Sequence, residues 1–366
     1  MHDFLILGAG VTGLATALEL SRRGARVRVI DQGQPGQESS WAGAGILSAL
    51  LPWDYPDAVS ALIERSQATF PAWIEALRAE SATDPEYRRC GMLVRAPYDS
   101  AAATAWLARR GGSGAAPARL SAGIKGIATD AIAPLWLPEV AQVRNPRLLA
   151  ALQEALHRRG VEITSRLAVR RLIETNGRIV VAETNSAPLH ADHFVVCTGA
   201  WSGRLLQDLA PVPIRPMRGQ MLLYRGEPGR LPCIVYRAGR YLVPRADGHL
   251  LVGSSVEDVG FDKSNTAAET QALRAFAADC LTELAEAEPL RHWAGLRPGS
   301  PGNLPSIARH PRLNNLFINS GHFRYGVTMA PASAGLLADL ALGHTPRLDP
   351  TPYRWPAPES AAQPPS

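Results

Sequence analysis

The chain opens on two apolar strand patterns that flank a helical one, in "DFLILGAGVTGLATALELSRRGARVRVID". The run "FLIL" is typical of a buried parallel strand, and "ARVRVI" alternates as a second strand that ends in Asp31. Between them, Leu14, Ala17 and Leu18 share one side of a predicted helix, and Gly24 is expected to end it. The pattern predicts a β–α–β unit at the start of an α/β fold.

Three glycines, Gly8, Gly10 and Gly13, form a GxGxxG motif between this first strand and its helix. In dinucleotide-binding folds the first permits a tight turn, the second admits a pyrophosphate, and the third lets helix and strand pack closely. The phosphates lie at the helix N-terminus, where free N–H groups favour anions. Asp31 would accept hydrogen bonds from ribose hydroxyls, which disfavours NADP. The motif predicts a Rossmann-type domain but does not separate NAD from FAD.

Later patterns extend this picture. The stretch "LLAALQEALHRRG" predicts a helix over 148–159 and a turn at Gly160, followed by two strands. The stretch "HFVVCTGAWS" is a strand that runs into a glycine turn, as expected where a cofactor crosses the edge of an α/β sheet. A strand over 316–319 precedes a helix that should begin near Thr328 and end before Gly343. The runs "MLLYR", "YLVPR" and "HLLVGSS" alternate as strands of a second sheet.

Composition narrows the class of protein. The 366 residues leave room for about two domains, and 46% hydrophobic with 19% charged residues is typical of a globular chain. The net charge of +5 comes from scattered basic pairs rather than a basic run, so no nucleic-acid partner is expected. Four cysteines without a CxxC motif predict neither a metal site nor a disulfide framework. With no signal peptide or membrane span in the pattern, we expect a cytoplasmic protein without a membrane partner.

The small-residue loop "GQESSWAGAGILSALLPW" after Asp31 departs from the further βα repeats of an NAD dehydrogenase. Together with "GAGVTGLATA", "CTGAWS", "RPMRGQML", "YLVPRADGHLLVGSS", "WAGLRPGSPGNLPSI" and "GHFRYGVTMAPASA", it resembles the D-amino acid oxidase family of FAD enzymes, and within it the bacterial glycine oxidases of thiamine biosynthesis. The resemblance spans essentially residues 3–342. It implies a Rossmann-type FAD-binding domain with a mixed antiparallel-sheet substrate domain, and FAD held without a covalent bond.

The resemblance also implies roles for individual residues. It implies FAD contacts for Gly8, Gly10, Val11, Thr12, Gly13, Asp31, Gln32, Ser39, Ser40, Ala44, Gly45, Ile46, Val169, His322, Phe323, Arg324, Tyr325, Gly326, Val327 and Thr328. It implies substrate contacts for Arg297, Arg324 and Tyr241. No general base is nominated, because amine oxidation on a flavin depends mainly on positioning.

Arg297 is the most informative of these residues, because it lies among glycines, prolines and leucines with no acidic residue from 293 through 307. A guanidinium presents a planar fork of donors that grips a carboxylate with two hydrogen bonds. The tyrosine that opens "YLVPR" would add a hydroxyl to the same carboxylate. A structural arginine with a partner distant in sequence is the alternative reading.

The predicted division of the chain is discontinuous. Residues 1–82, 143–210 and 294–350 form the FAD-binding domain, 83–142 and 211–293 the substrate-binding domain, and 351–366 a disordered tail. The stretch 106–117 is predicted to be a surface loop, because it contains a Gly-Gly-Ser-Gly run.

The predicted reaction is oxidative deamination of glycine or another small amino acid such as sarcosine, D-alanine or D-proline, with oxygen as acceptor and hydrogen peroxide as a product. The resemblance implies a role in thiazole synthesis and a possible homotetramer. Two alternatives remain at this point: a sarcosine-type or D-proline-type oxidase or dehydrogenase, and an FAD oxidase module that modifies tRNA.

Overall fold

The computed structural model describes residues 2–109 and 134–356. In these ranges the strands are β1 (His2–Leu7), β2 (Val27–Ile30), β3 (Ile46–Leu47), β4 (Arg88–Arg89), β5 (Met92–Val94), β6 (Leu135–Leu137), β7 (Ala141–Gln142), β8 (Glu162–Thr164), β9 (Val169–Thr175), β10 (Arg178–Thr184), β11 (Ala191–Val196), β12 (Arg215–Arg225), β13 (Ile234–Arg237), β14 (Arg240–Pro244), β15 (His249–Gly253), β16 (Arg291–Gly299), β17 (Ser306–Arg309) and β18 (Leu316–Ser320). The helices are α1 (Val11–Arg22), α2 (Ser39–Ala42), α3 (Asp57–Glu80), α4 (Ser100–Ala108), α5 (Asn145–Arg158), α6 (Ser202–Leu206), α7 (Ala267–Cys280) and α8 (Gly326–Leu342).

Six strands form the sheet that carries the glycine motif, in the order β17-β18-β11-β1-β2-β8. Every neighbouring pair is parallel except the edge pair β17-β18. Because the carboxyl ends of parallel strands meet at one edge, the loops after β1, β2, β11 and β18 gather there. This sheet confirms the predicted Rossmann-type fold and brings together segments that are up to three hundred residues apart.

Alternate residues of β1 enter different hydrophobic clusters. Phe4 and Ile6 face the cluster that contains α1, α3, α5 and α8, while Leu5 and Leu7 face the opposite one. That opposite face is covered by the hairpin of β9 and β10, which contributes buried Leu172. The period of two along β1 therefore places apolar side chains on both faces, as expected for a central parallel strand.

A second sheet has seven strands in the order β16-β12-β15-β14-β13-β5-β6. It is mixed, because β13 pairs with β5 in parallel while its other pairs are antiparallel. Helix α7 packs on one face through Leu273 and Phe276. The fold class is therefore confirmed. The domain boundaries stay a prediction, and β16 runs without interruption across the one placed between 293 and 294.

Three predicted segments differ in extent from the structure. Helix α5 begins at Asn145 rather than 148, since a proline in its first turn fits a helix start. Helix α8 begins at Gly326 and ends, as predicted, before Gly343, whose φ of 72° is the left-handed conformation of a helix C-terminus. The predicted loop over 106–117 begins inside α4, which continues to Ala108, and its part from 110 onward lies outside the described residues.

The prediction of a disordered tail over 351–366 is wrong for its first residues. Thr351–Tyr353 form a 3-10 turn, Tyr353 donates a hydrogen bond to the carbonyl of Ala58, and Trp355 packs against His310. The two aromatic side chains are buried, so their packing outweighs the proline-rich composition. Residues 357–366 lie outside the described part of the chain.

Among the described residues, no helix combines the length and the apolar character needed to cross a membrane.

Candidate active site

The turn between β1 and α1 depends on glycine for steric reasons. Gly8 has φ of 104°, and a Cβ there would lie 2.5 Å from the carbonyl oxygen of Cys197. A Cβ on Gly13 would lie 1.9 Å from the carbonyl oxygen of Gly8. The first glycine therefore permits the turn and the third permits α1 to pack directly on the loop, as the motif predicts.

Helix α1 begins without a side-chain cap, because its N-cap residue is Gly10. One of its first backbone N–H groups, that of Val11, donates to Oγ of Ser40 at 2.9 Å. The remaining N–H groups of the first turn have no intrahelical acceptor and carry the positive end of the helix dipole. This terminus opens onto a cavity and is suited to a phosphate group.

Asp31 lies at the end of β2, where the carboxylate lines the same cavity. Its two oxygens accept hydrogen bonds from the backbone N–H of Ala9 at 2.7 Å and of Gly33 at 2.8 Å. The carboxylate therefore braces the glycine loop in addition to the predicted ribose contact. Each oxygen keeps a lone pair for a further donor.

The cavity has a volume of about 960 Å³ and runs from the glycine loop to the second sheet. Of the residues predicted to bind FAD, those on its wall are Gly8, Gly10, Val11, Thr12, Asp31, Gln32, Ser39, Ser40, Ala44, Gly45, Ile46, Val169, His322, Phe323, Arg324, Tyr325, Gly326 and Val327. Gly13 and Thr328 lie behind the wall. Gly13 supports the helix packing described above, and Thr328 donates to the carbonyl of Ile46 at 2.9 Å.

Arg297, Arg324 and Tyr241 also line this cavity, although they come from β16, the loop before α8 and β14. The guanidinium of Arg297 donates to the carbonyl of Ser255 at 3.0 Å, to Oγ of Ser254 at 2.6 Å and, at 3.5 Å, to the carbonyl of Arg218. Among the described residues its acceptors are thus neutral oxygens and include no carboxylate.

The hydrogen bonds of Arg297 leave part of its donor capacity unused. A guanidinium has five N–H hydrogens. Each of the three hydrogen bonds above uses one of them, so two hydrogens remain. Two is the number that a carboxylate accepts from one arginine in a bidentate pair. Burial lowers the pKa of Arg297, while the nearby Tyr241 acts in the opposite direction. A cation on a cavity wall, without a carboxylate partner among the described residues, is suited to an anionic ligand.

Two residues at this end of the cavity were missed in the sequence. Ser254 accepts hydrogen bonds from Arg297 and, at 3.2 Å, from the hydroxyl of Tyr241. Gly219 lies beneath the guanidinium, and a Cβ there would be 2.0 Å from Nη1 of Arg297. In the sequence, Gly219 and Ser254 appear only as small residues in "RGQ" and "GSS". Their closeness to Arg297 follows from the pairing of β12 with β15 and β16.

Buried polar atoms on the wall test whether the cavity fits a dinucleotide. Oδ1 of Asn145, Oδ1 of Asn319 and Nε2 of His322 are buried and have no hydrogen-bond partner among the described residues. Buried polar groups in native proteins are nearly always paired, so such atoms on a cavity wall indicate a polar ligand. The free helix terminus and the carboxylate of Asp31 suit the phosphate and ribose groups of a dinucleotide, and three residues of the wall carry unpaired polar atoms.

A glycine-rich turn on a parallel sheet, facing a cavity that ends at two arginines, defines a dinucleotide-dependent α/β enzyme with a site for a small anion. Residues 3–340 match the profile of the FAD dependent oxidoreductase family, and the chain belongs to that family. Its cofactor is FAD, which the donors and acceptors described above fit.

Named relatives and solved structures agree with this family. The chain is 40% identical to a glycine oxidase of Pseudomonas aeruginosa over 95% of this chain and 97% of that protein. It is 33% identical to a bifunctional protein ThiO/ThiG of Trichormus variabilis, over 92% of this chain and 52% of that protein. The crystal structure of glycine oxidase from Geobacillus kaustophilus superposes with a TM-score of 0.86 at 26% identity, covering 97% of this chain and 98% of the other.

His322 gives a test of burial at this site. Burial lowers its pKa to about 3, so the unfolded chain, in which a histidine titrates near 6.5, binds more protons at acid pH. The contribution of His322 to stability is therefore complete above pH 6.5 and is lost as the pH falls towards the folded-state pKa. In the His322→Asn variant, the free energy of unfolding should fall less steeply below pH 6.5, by up to about 1.4 kcal/mol per pH unit.

Denaturant unfolding of both FAD-loaded proteins at several pH values measures this difference. His157→Asn, at an exposed position near the end of α5, is the matched control. If the free energy of unfolding has the same pH dependence in wild type and His322→Asn, burial does not lower the pKa of His322.

Proposed function

We propose that the chain oxidises glycine or another small amino acid to the corresponding 2-oxo acid, with release of ammonia or an amine and production of hydrogen peroxide. The observation that carries the proposal is the guanidinium of Arg297, which has two unused donor hydrogens, no carboxylate partner among the described residues and a place on the wall of the FAD cavity. The likeness to glycine oxidases across nearly the whole chain supports it.

In this proposal the substrate carboxylate pairs with Arg297. The hydroxyl of Tyr241 turns its single hydrogen from Oγ of Ser254 to the same carboxylate when the substrate binds. Arg324 lies on the same wall, next to the ring of Phe323, and adds positive charge. The site thereby fixes one end of a short molecule, so the Cα–H bond takes a single orientation towards the cofactor. Such positioning accounts for a large share of catalysis in reactions that need little acid–base help.

FAD, when bound, supplies the acceptor for a hydride from Cα and passes the two electrons to oxygen. The oxidised substrate is then an imine, which water hydrolyses to the 2-oxo acid and ammonia, so one oxygen and one water are consumed per turnover. His322 is the one histidine on the described wall, and it stays neutral because burial lowers its pKa to about 3. The chain therefore binds and orients the substrate, and the proposal assigns no general base.

The same proposal extends to the use of the product, the attachment of FAD, the cellular location and the assembly. The product enters thiazole formation in thiamine synthesis, as the likeness to the ThiO/ThiG protein suggests. FAD is held without a covalent bond, since Cys197, the cysteine on the wall, is buried with its pKa raised to about 12. The protein acts in the cytoplasm, which fits its four free cysteines. It assembles as a homotetramer, and size-exclusion chromatography with light scattering tests this assembly.

The experiment that tests the reaction is a peroxide assay of the purified yellow protein with glycine, sarcosine, D-alanine and D-proline. We expect turnover of at least one of them, with one hydrogen peroxide per substrate oxidised. Glycine or D-alanine should also release ammonia and sarcosine should release methylamine, whereas the ring nitrogen of D-proline stays in the product. The rank order of kcat/KM then identifies the preferred substrate and separates glycine oxidase from the sarcosine-type and D-proline-type alternatives. A protein that binds FAD but is reduced by none of the four would overturn the proposal while leaving the family assignment intact.

A further inference from the structure

Arg245 is a buried arginine that lies behind the cofactor cavity rather than on its wall. It directly follows β14, the strand that contains Tyr241, and its exposed fraction is 5%. Among the described residues it has no carboxylate partner, and its Nε has no hydrogen-bond acceptor. Burying an unpaired charge is unfavourable, so a position of this kind indicates a role beyond filling space.

The hydrogen bonds of this guanidinium go to the cavity wall and to the segment just before α5. Nη2 donates to the carbonyl of Ala44 at 2.8 Å, and Nη1 donates to the carbonyl of Val143 at 2.9 Å and to Oε1 of Gln142 at 2.6 Å. Ala44 belongs to the small-residue loop 43–46, which lines the cavity, while Val143 lies just before α5. One side chain therefore joins the end of β14 to two other segments of the chain.

The loop 43–46 has little freedom to move by itself. Gly45 has φ of 71°, and a Cβ there would lie 2.0 Å from the carbonyl oxygen of Val143. The backbone N–H of Val143 donates to the carbonyl of Gly45 at 2.9 Å. Because loop and segment are packed this closely, the three hydrogen bonds of Arg245 fix them as one unit.

Arg245 also brings a positive charge that no carboxylate contacts among the described residues, and Glu86 is the nearby carboxylate that acts on it. The adjacent Arg144 pairs with Asp247 at 2.8 Å and with Glu86, so those carboxylates are already engaged. Arg88 donates to the carbonyl of Pro244 at 3.0 Å and contributes a further positive charge. In a site closed to water, a fixed charge acts over a longer range than it would in solvent.

The loop 43–46 lies beside the strand of Arg297, because Nε1 of Trp293 in β16 donates to the carbonyl of Ala42 at 3.1 Å. We propose that Arg245 is a positioning residue for the cofactor, which fixes this part of the cavity wall and raises the reduction potential of bound FAD. A flavin gains negative charge on reduction, so a fixed cation beneath the loop favours the reduced form. The inference concerns FAD binding and does not depend on which amino acid is oxidised.

Two variants separate the geometric part from the electrostatic part. Arg245→Met removes the charge and all three hydrogen bonds; Arg245→Lys keeps the charge and loses the fork. We expect the dissociation constant of FAD to rise about tenfold to a hundredfold in Arg245→Met, which corresponds to the loss of one or two charge-assisted hydrogen bonds. The reduction potential of its bound flavin should become more negative. In Arg245→Lys the dissociation constant should rise while the potential stays near the wild-type value.

The measurements are FAD titration by flavin fluorescence and a potentiometric titration of the FAD-loaded protein. Arg225→Met is the matched control, since Arg225 is exposed and donates to the carbonyl of Asp247 at 3.3 Å near the same turn. A wild-type potential in Arg245→Met overturns the proposal, even with weaker FAD binding, because a purely structural residue would give that result. If Arg245→Met does not fold, Arg245→Lys decides: a wild-type dissociation constant or a shifted potential overturns the proposal.

Discussion

Replacing Arg297 with lysine should lower kcat/KM for the amino acid substrate by about tenfold to a hundredfold while the protein keeps its FAD. Lysine retains the charge and can donate one hydrogen bond, so one of the two parallel hydrogen bonds to a carboxylate is lost. Charge-assisted hydrogen bonds contribute about 1.5–3 kcal/mol each, which corresponds to this range of rates. The loss should appear mainly in KM, with a smaller decrease in kcat from misorientation of the substrate.

Steady-state peroxide assays give both kinetic constants, and the visible flavin spectrum reports cofactor content. Arg291→Lys is a suitable control, because Arg291 opens the same strand, β16, at an exposed position. Unchanged kinetics for Arg297→Lys would return this residue to a structural role. A colourless Arg297→Lys protein would show instead that the arginine supports the cofactor site.

Replacing Gly13 with alanine should lower FAD affinity by at least about tenfold. The residue lies in α1, where alanine is conformationally favourable, so any loss is steric. The new methyl group would lie 1.9 Å from the carbonyl oxygen of Gly8, and α1 could accommodate it only by moving away from the loop. Overpacking of this kind costs about 1–3 kcal/mol and would displace the helix terminus that faces the phosphates.

FAD titration of the apoprotein measures this effect. The matched control is Gly335→Ala in α8, where a Cβ would have no atom within 4 Å. That variant should bind FAD normally and gain about 0.5–1 kcal/mol of stability, the usual advantage of alanine inside a helix. Normal FAD binding by Gly13→Ala would contradict the close packing of α1 on the glycine loop.

Local pattern was sufficient to predict the first β–α–β unit, because its strand, turn and helix are adjacent in the chain and each has its own signal. The GxGxxG spacing predicted close approach at its glycines, and a Cβ on Gly8 or Gly13 would lie 2.5 Å or 1.9 Å from a carbonyl oxygen. Resemblance extended the prediction to Arg297, Arg324 and Tyr241, which the fold brings to one cavity although no local pattern relates them.

The residues that sequence reasoning missed depend on alignments between distant segments. Ser254 and Gly219 approach Arg297 only through the register of β12 with β15 and β16. Arg245 reaches Ala44 across two hundred positions, and an arginine in "VPR" has no signature of burial. The tail shows the same limit, since the proline-rich composition predicted disorder while Tyr353 and Trp355 pack into the fold. In each of these examples the position or burial of the residue depends on contacts between distant segments, which composition and local pattern do not predict.

The wall of the cofactor cavity is made of segments from the first fifty residues, the middle of the chain and the stretch around 297–327. A ligand that contacts all of them is bound only by the folded chain, so its concentration enters the folding equilibrium. At a free FAD concentration of one hundred times the dissociation constant, this linkage adds about 2.7 kcal/mol to the free energy of unfolding. The amount of folded protein in a cell would then follow the supply of riboflavin, and a shortage of the vitamin would lower the abundance of the enzyme as well as its activity.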